Sequence, residues 1–422
     1  MKILALVLFA LMYVLMIAKP KYRPFYALSV AVIFLISGIL PLNRLSSTIN
    51  WNVLLMIAGT MIIVYYFIDS HMPHLLADLL LGKSKNVMWV TILMSLFAGI
   101  ISAFIDNVAT VLMVAPVGMA ICRKLKMSPV GMILSIAVSS NLQGAATLVG
   151  DTTSIMLGDY ANMNFMNFFW MNGRPGIFFA VELGALATIP VMMFLFRKDK
   201  APVSSTERTA VSSCVPTVTL LVMVAALITA SFIPDAPQMI NGMICCSLAI
   251  VTILINLIQE KKAFKAIAAV KNLDFETLGL LTGLFIVIGG LTNVGIIDDF
   301  AGLIVEFGGN NIFLLYTIVV WGSVLISAFV DNIPYVATML PVLTAVTSAL
   351  GIEPYLLYFG LLSGATLGGN ITPIGASANI AAVGMLGKEG YQVSFQEFMR
   401  IGLPYTLVAV MAGYLYFWFI WA

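Results

Sequence analysis

The chain predicts an all-α, polytopic membrane protein made of two related halves of opposite orientation, and three observations carry that fold class. Of 422 residues 61% are hydrophobic and only 9% charged, against about 25% charged in an average globular chain. The apolar residues form long unbroken runs, with a mean hydropathy of +1.04, and not the ten-residue alternating segments of a membrane β-barrel. Lipid then leaves helices, which satisfy their own backbone. Two polar-broken stretches also repeat one another at a constant offset. The net charge of +2, with bases scattered through short loops, excludes a nucleic-acid partner.

Single spans are expected at 3–18, 25–42, 52–69, 177–196, 215–233, 240–258, 276–292 and 401–421, each near the ~20 residues a bilayer requires. The first has no small-residue cleavage site and is read as a retained helix. Two regions, 87–160 and 311–387, are apolar but too long and too broken for one helix. Bases concentrate in cytoplasmic loops. Lys19, Lys21 and Arg23 therefore place the first loop inside and the N-terminus outside. Clusters at Lys83 and Lys85 and at Arg123, Lys124 and Lys126 then flank 87–122 on one side, so that stretch is a re-entrant hairpin with its tip near Asp106. Residues 130–160 cross outward, 311–350 form a second hairpin from outside, and 354–387 cross inward. Eighteen of the twenty-one Lys and Arg, Lys261, Lys262 and Arg208 among them, fall inside, and both termini outside.

Ser102–Val117 aligns without gaps on Ser327–Val342, eight of sixteen positions being identical at an offset of 225. Thr147-Leu-Val-Gly150 meets Thr372-Pro-Ile-Gly375 at the same offset, and Gly59 meets Gly283 at 224. With the charge count this is an inverted-topology repeat, five crossings and one hairpin per half, which marks secondary transporters with a midplane site.

Asp106 and Asp331 stand at the hairpin tips beside Asn107 and Asn332. A carboxylate at membrane depth is costly and retained for function, although Asp also caps the helix that follows it. The stretch from Ser139 to Ser154 holds Asn141, Thr147, Gly150, Asp151, Thr152 and Thr153, and is too polar and glycine-rich for an unbroken span. Its partner, 363–379, holds Asn370, Thr372, Gly375, Ser377 and Asn379. Non-helical backbone at that depth lines a cavity, and freed carbonyls coordinate cations. Sodium is the ion such groups invite, with Asp106, Asn107, Asp331 and Asn332 as candidate ligands; no other cofactor is expected. Asp151 has no mate in the repeat, where Ala376 stands. The broken stretches contain no Lys or Arg, so three acids are expected without a basic partner. That favours a cation, proton or neutral solute over a multicarboxylate. Glu182, within a span, is a relay or interfacial acid; His71, His74 and Asp78 form a solvated face or a weak metal cluster. The four cysteines lack metal or disulfide spacing. No nucleophile–base constellation points to an enzyme.

At Ser102-Ala-Phe-Ile-Asp-Asn107, Gly144–Asp151, Phe329-Val-Asp-Asn-Ile-Pro334, Ala337-Thr-Met-Leu-Pro341 and Gly368–Asn379 the chain resembles the ion transporter superfamily. That superfamily holds arsenite permeases, NhaD-type sodium–proton antiporters, the melanosomal P-protein and, more distantly, divalent anion–sodium symporters. One departure is Gly150-Asp-Thr-Thr-Ser154, where the superfamily usually has Gly-Asp-Pro-Pro-Asn. The resemblance implies a homodimer in which scaffold segments 1–86 and 201–310 hold transport segments 87–200 and 311–422, the latter moving as an elevator. The expected function is secondary transport across the cytoplasmic membrane of a small ion or inorganic solute, coupled to protons or sodium. A sodium-coupled di- or tricarboxylate importer is the alternative, and a channel a more distant one.

Overall fold

The computed structural model describes residues 1–422 except 83, 125–126, 203–208, 261–262 and 310. Lys83, Lys126, Arg208, Lys261 and Lys262, which helped to assign sides, lie outside the described residues. Among those described are twenty α-helices. The first five are α1 (Lys2–Ala18), α2 (Arg23–Ile36), α3 (Leu45–Thr48), α4 (Trp51–Asp69) and α5 (Met72–Leu81). The first hairpin is α6 (Val87–Ser102) and α7 (Asn107–Lys124), the first broken element α8 (Val130–Gly144) and α9 (Thr152–Tyr160), and α10 (Ile177–Leu195) closes the half. The second half runs α11 (Val215–Ala230), α12 (Ile240–Glu260), α13 (Ala263–Lys271), α14 (Phe275–Asn293) and α15 (Ile296–Gly308). It continues with α16 (Ile312–Ser327), α17 (Asn332–Leu350), α18 (Tyr355–Gly368), α19 (Ser377–Lys388) and α20 (Phe395–Trp421). A two-stranded hairpin, β1 (Trp170–Met171) and β2 (Arg174–Pro175), turns on Asn172-Gly173, both left-handed, the preferred chemistry for so tight a turn.

Among the described residues seven helices, α4, α7, α10, α12, α14, α17 and α20, are long and apolar enough to cross a membrane. The expected span 25–42 is shorter than predicted. Its helix, α2, stops at Ile36 because the chain turns at left-handed Gly38. Amphipathic helices α5, α13 and α15 form between spans, where the charge pattern predicts loops.

The same caps recur in both halves. Asn50 caps α4 and Asp274 caps α14, while Asn86 caps α6 and Asn311 caps α16, each accepting a backbone N–H from three residues on. Packing recurs as well. Helix α4 lies on α12, and α14 on α2. A Cβ at Gly59 would sit 2.5 Å from the Cys245 carbonyl carbon, and one at Gly283 2.7 Å from that of Ala27, so glycine permits both close approaches. Helices α6 and α16 pack on α8 and α18, and α10 on α20.

Charged side chains link the loops in two groups. Lys2 pairs with Asp299 at 2.6 Å, Arg44 donates to Asn293 at 2.8 Å and Arg174 stacks over Trp421. Lys265 pairs with Asp69 at 2.8 Å, and Arg123 with Glu389. Each contact joins residues that the charge count puts on one face.

Candidate functional site

The two broken elements are built alike. Between α8 and α9 the chain turns through Ala145–Asp151, and between α18 and α19 through a 3-10 turn and Thr372–Ala376. Thr147 donates its hydroxyl to the Ala103 carbonyl, and Thr372 donates its own to that of Ala328, so each break is tied to the hairpin tip of its half. Gly150 and Gly375 occupy matching cradles. A Cβ at Gly150 would lie 2.5 Å from the Gly144 and Ser102 carbonyl oxygens; at Gly375 it would lie 2.6 Å from that of Gly369 and 2.8 Å from that of Ser327.

Across the contact between halves runs a buried amide network. Asn107 donates to Asn141 at 3.0 Å and to Asp151 at 3.5 Å. Asn141 donates to Asn370 at 2.7 Å and Asn379 at 3.1 Å, and Asn370 to the Val138 carbonyl. Asn379 donates to the Gly369 and Thr372 carbonyls, holding the second break closed. Its counterpart is Ser154, too short for that role, whose buried hydroxyl has no partner among the described residues. The departure from the superfamily pattern thus falls where the first break loses a side-chain strut. Thr153 donates to Asp151 at 2.6 Å and shares a bond with Thr366. Thr152, the counterpart of Ser377, is buried at the start of α9.

The tips differ. The Asp106 carboxylate accepts the Val108 and Ala109 amides at 3.0 and 3.2 Å, capping α7. In the second half Pro334 stands where Ala109 does and has no N–H. Asp331 accepts only the Ile333 amide at 3.2 Å, and its other oxygen takes Arg23 at 2.8 Å and Ser377 at 2.9 Å. The expectation of three acids without a base is therefore wrong for Asp331. The pairing base is the first residue of α2, 308 residues away, and a survey of the broken stretches alone does not contain it. Among the described residues no ion pair reaches Asp106 or Asp151. Asn332 differs from Asn107 too. Thr366 and Ala376 occupy the positions of Asn141 and Asp151, and the Asn332 amide nitrogen is left buried without an acceptor among the described residues.

Several features carry no local sequence signal. A cavity of about 1120 Å³ lies away from all of these residues, among α4, α9, α12, α14 and α17. There Asp159 is clamped by Asn50 and by Asn52, the latter at 2.6 Å, and Asn52 accepts the Gly242 amide. His71 and His74 lie 5.6 Å apart, but Asp78 is engaged by the Thr209 amide and hydroxyl. Burial, then the neighbouring His71, hold His74 below the ordinary imidazole value, against the pull of Asp78. Among the described residues no three His, Cys, Asp or Glu groups are placed to hold a metal ion.

A multi-pass helical bundle with paired broken helices and buried polar side chains where they meet is the build of a membrane transporter. The sequence pattern of the citrate transporter family, CitMHS, matches residues 13–361 and 268–422, and the chain belongs to that family. An uncharacterized transporter of Mycobacterium tuberculosis is 27% identical over 428 residues, covering 99% of this chain and 98% of its own. The P protein of Sus scrofa is 25% identical over 504 residues, covering 98% of this chain and 59% of its own. The crystal structure of the YdaH transporter of Alcanivorax borkumensis shares the fold, with a TM-score of 0.63 at 14% identity over 89% of this chain and 86% of that one.

Proposed function

We propose that the chain is a secondary active transporter of the cytoplasmic membrane that couples the movement of a small ion or inorganic solute to protons or sodium. One observation carries the reading: at a constant offset of 225 residues, two broken helices and two hairpin tips recur, and Asn107, Asn141, Asp151, Asn370 and Asn379 join in one buried polar network beside the tip acids Asp106 and Asp331. The first tip and break supply carboxylates and freed carbonyls with no base, a setting suited to sodium or a proton. The recurrence of Thr147 in Thr372 and of Gly150 in Gly375, with the sided loop contacts, supports an inverted repeat. Alternating access by an elevator movement of 87–200 and 311–422 against 1–86 and 201–310, in a homodimer with both termini extracytoplasmic, completes the proposal.

A second reading has its own support. Arg23 and the unpartnered Asn332 amide bring donors to the second tip, which removes the charge objection to an anionic solute. With the family description, this favours sodium-coupled uptake of a citrate-like carboxylate. In proteoliposomes, solute-dependent dissipation of a pH or sodium gradient is expected to vanish in Asp106→Asn and in Asp331→Asn. Full activity in both variants overturns the carboxylate role. Saturable sodium-dependent citrate uptake selects the second reading, and arsenite or cation exchange the first.

A further inference from the structure

Arg23 belongs to the first residue of α2, where a positive charge opposes the helix dipole. Its guanidinium is nonetheless folded inward, with 12% of the side chain exposed, onto an Asp331 carboxylate that is 2% exposed. Asp331 there faces the first turns of three helices: α17, which it caps, α19 through Ser377, and α2 through Arg23. A second tie lies beside the first. Tyr13, on α1, donates to the Pro334 carbonyl at 2.6 Å and shares a bond with the Thr338 hydroxyl at 2.7 Å. Helices α1 and α2 thus hold the second hairpin by its tip and return arm. Among the described residues, the first tip has only its own backbone amides on Asp106.

A guanidinium keeps its charge at any pH the protein meets. While it sits 2.8 Å from Asp331, that oxygen is closed to a soluble cation. Breaking the pair leaves a buried carboxylate that must find another positive charge or take up a proton.

We infer that Arg23 is a tethered cation that occupies the second carboxylate subsite in this conformation, so that Asp331 takes a cation from solution only after Arg23 has withdrawn. The inference rests on the cation-coupled reading above, and it divides the acids. Among the described residues no base competes with the coupling cation at Asp106 or Asp151 in this conformation, and Asp331 is exchanged between Arg23 and a soluble cation as α1 and α2 release the hairpin.

The test is a count of bound cations on the purified full-length protein, independent of flux. Sodium is measured by radiotracer binding, and protons by the carbonyl stretch of a protonated carboxyl in infrared difference spectra. Arg23→Gln is expected to gain one sodium ion or one proton per chain over the parent protein. The gain should disappear in Arg23→Gln/Asp331→Asn and be absent in Arg23→Lys, which keeps the charge. An unchanged count in Arg23→Gln overturns the inference. Should that variant fail to fold, the pair Tyr13→Cys/Thr338→Cys, oxidised to hold the hairpin closed, is expected to bind one cation fewer than its reduced form; equal counts overturn the inference as well. A protein that gains the cation in Arg23→Gln yet carries no flux of any solute retains the Arg23 assignment and loses the transport reading.

Discussion

The two hairpin tips share Ser-Ala-Phe, then Asp-Asn, and use the aspartate differently. At the first, the Val108 and Ala109 amides both donate to one oxygen of Asp106, which caps its own helix. At the second, a proline replaces the second donor, and the spare oxygen reaches across the fold to Arg23 and Ser377. Asp331 thus caps its helix with one oxygen and accepts an ion pair with the other. The neighbouring amides diverge for a similar reason. Asn107 has Asn141 and Asp151 to donate to, whereas Asn332 faces positions held by Thr366 and Ala376 and keeps an unused donor. A repeat that preserves backbone geometry has room to separate the duties of its two sites by single substitutions.

The largest test of that contrast compares the two acids. Asp331→Asn strands a buried guanidinium and is expected to lower stability by about 3–5 kcal/mol, whereas Asp106→Asn leaves an equally good cap and removes only a charge at a helix start, at about 0.3–1 kcal/mol. Equal losses in chemical unfolding would show that Arg23 adds nothing to the second tip. The glycine cradles predict sameness instead. Gly150→Ala and Gly375→Ala each drive a methyl group against carbonyl oxygens, and each is expected to cost about 1–3 kcal/mol. A loss confined to one of them would break the equivalence of the halves. Pro334→Ala restores the missing donor. By the pattern at Ala109, its amide should join that of Ile333 on the oxygen Arg23 leaves free and raise stability in chemical unfolding by about 0.5–1.5 kcal/mol, the Arg23–Asp331 coupling in a double-mutant cycle staying unchanged. The smallest effect is expected from Ser154→Asn, which returns to the first break the strut that Asn379 gives the second. It should raise the melting temperature by an amount equivalent to about 1 kcal/mol or less. A fall would mean that the two breaks enclose different spaces.

Much of the architecture was legible because lipid leaves the chain few choices. Long apolar runs become helices, and Gly144 with Gly150, or Gly369 with Gly375, betray the places where a helix cannot continue. The repeat register carried over from the sequence to Thr147, Thr372 and both glycine cradles without adjustment. The connectors were less legible. Helices α5, α13 and α15 are amphipathic and lie between spans, where a charge count reads only a loop. His71 takes a left-handed conformation at the start of α5 where the second half uses Gly295, a choice that no local pattern announces. The pairing of Arg23 was hidden because it spans 308 residues. Two hints were present all the same: a base on the first turn of an apolar helix, where the dipole disfavours it, and a proline at one tip where the other has alanine. The Asp159 clamp had no such hint, since Asn50 was legible as a cap but not as a donor to another helix.

The shortness of α2 has a consequence for the surrounding lipid. Fourteen residues rise about 21 Å, well below the ~30 Å of a hydrocarbon core. Val32, Ile33 and Ile36 point away from the protein. A bilayer meeting so short an apolar wall thins to match it, at a fraction of a kcal/mol per Å, and draws headgroups and water toward the end of the helix. That end is Arg23. Acyl-chain length thereby becomes a variable in the hydration of the guanidinium, and thicker membranes would press harder on the bond it makes with Asp331.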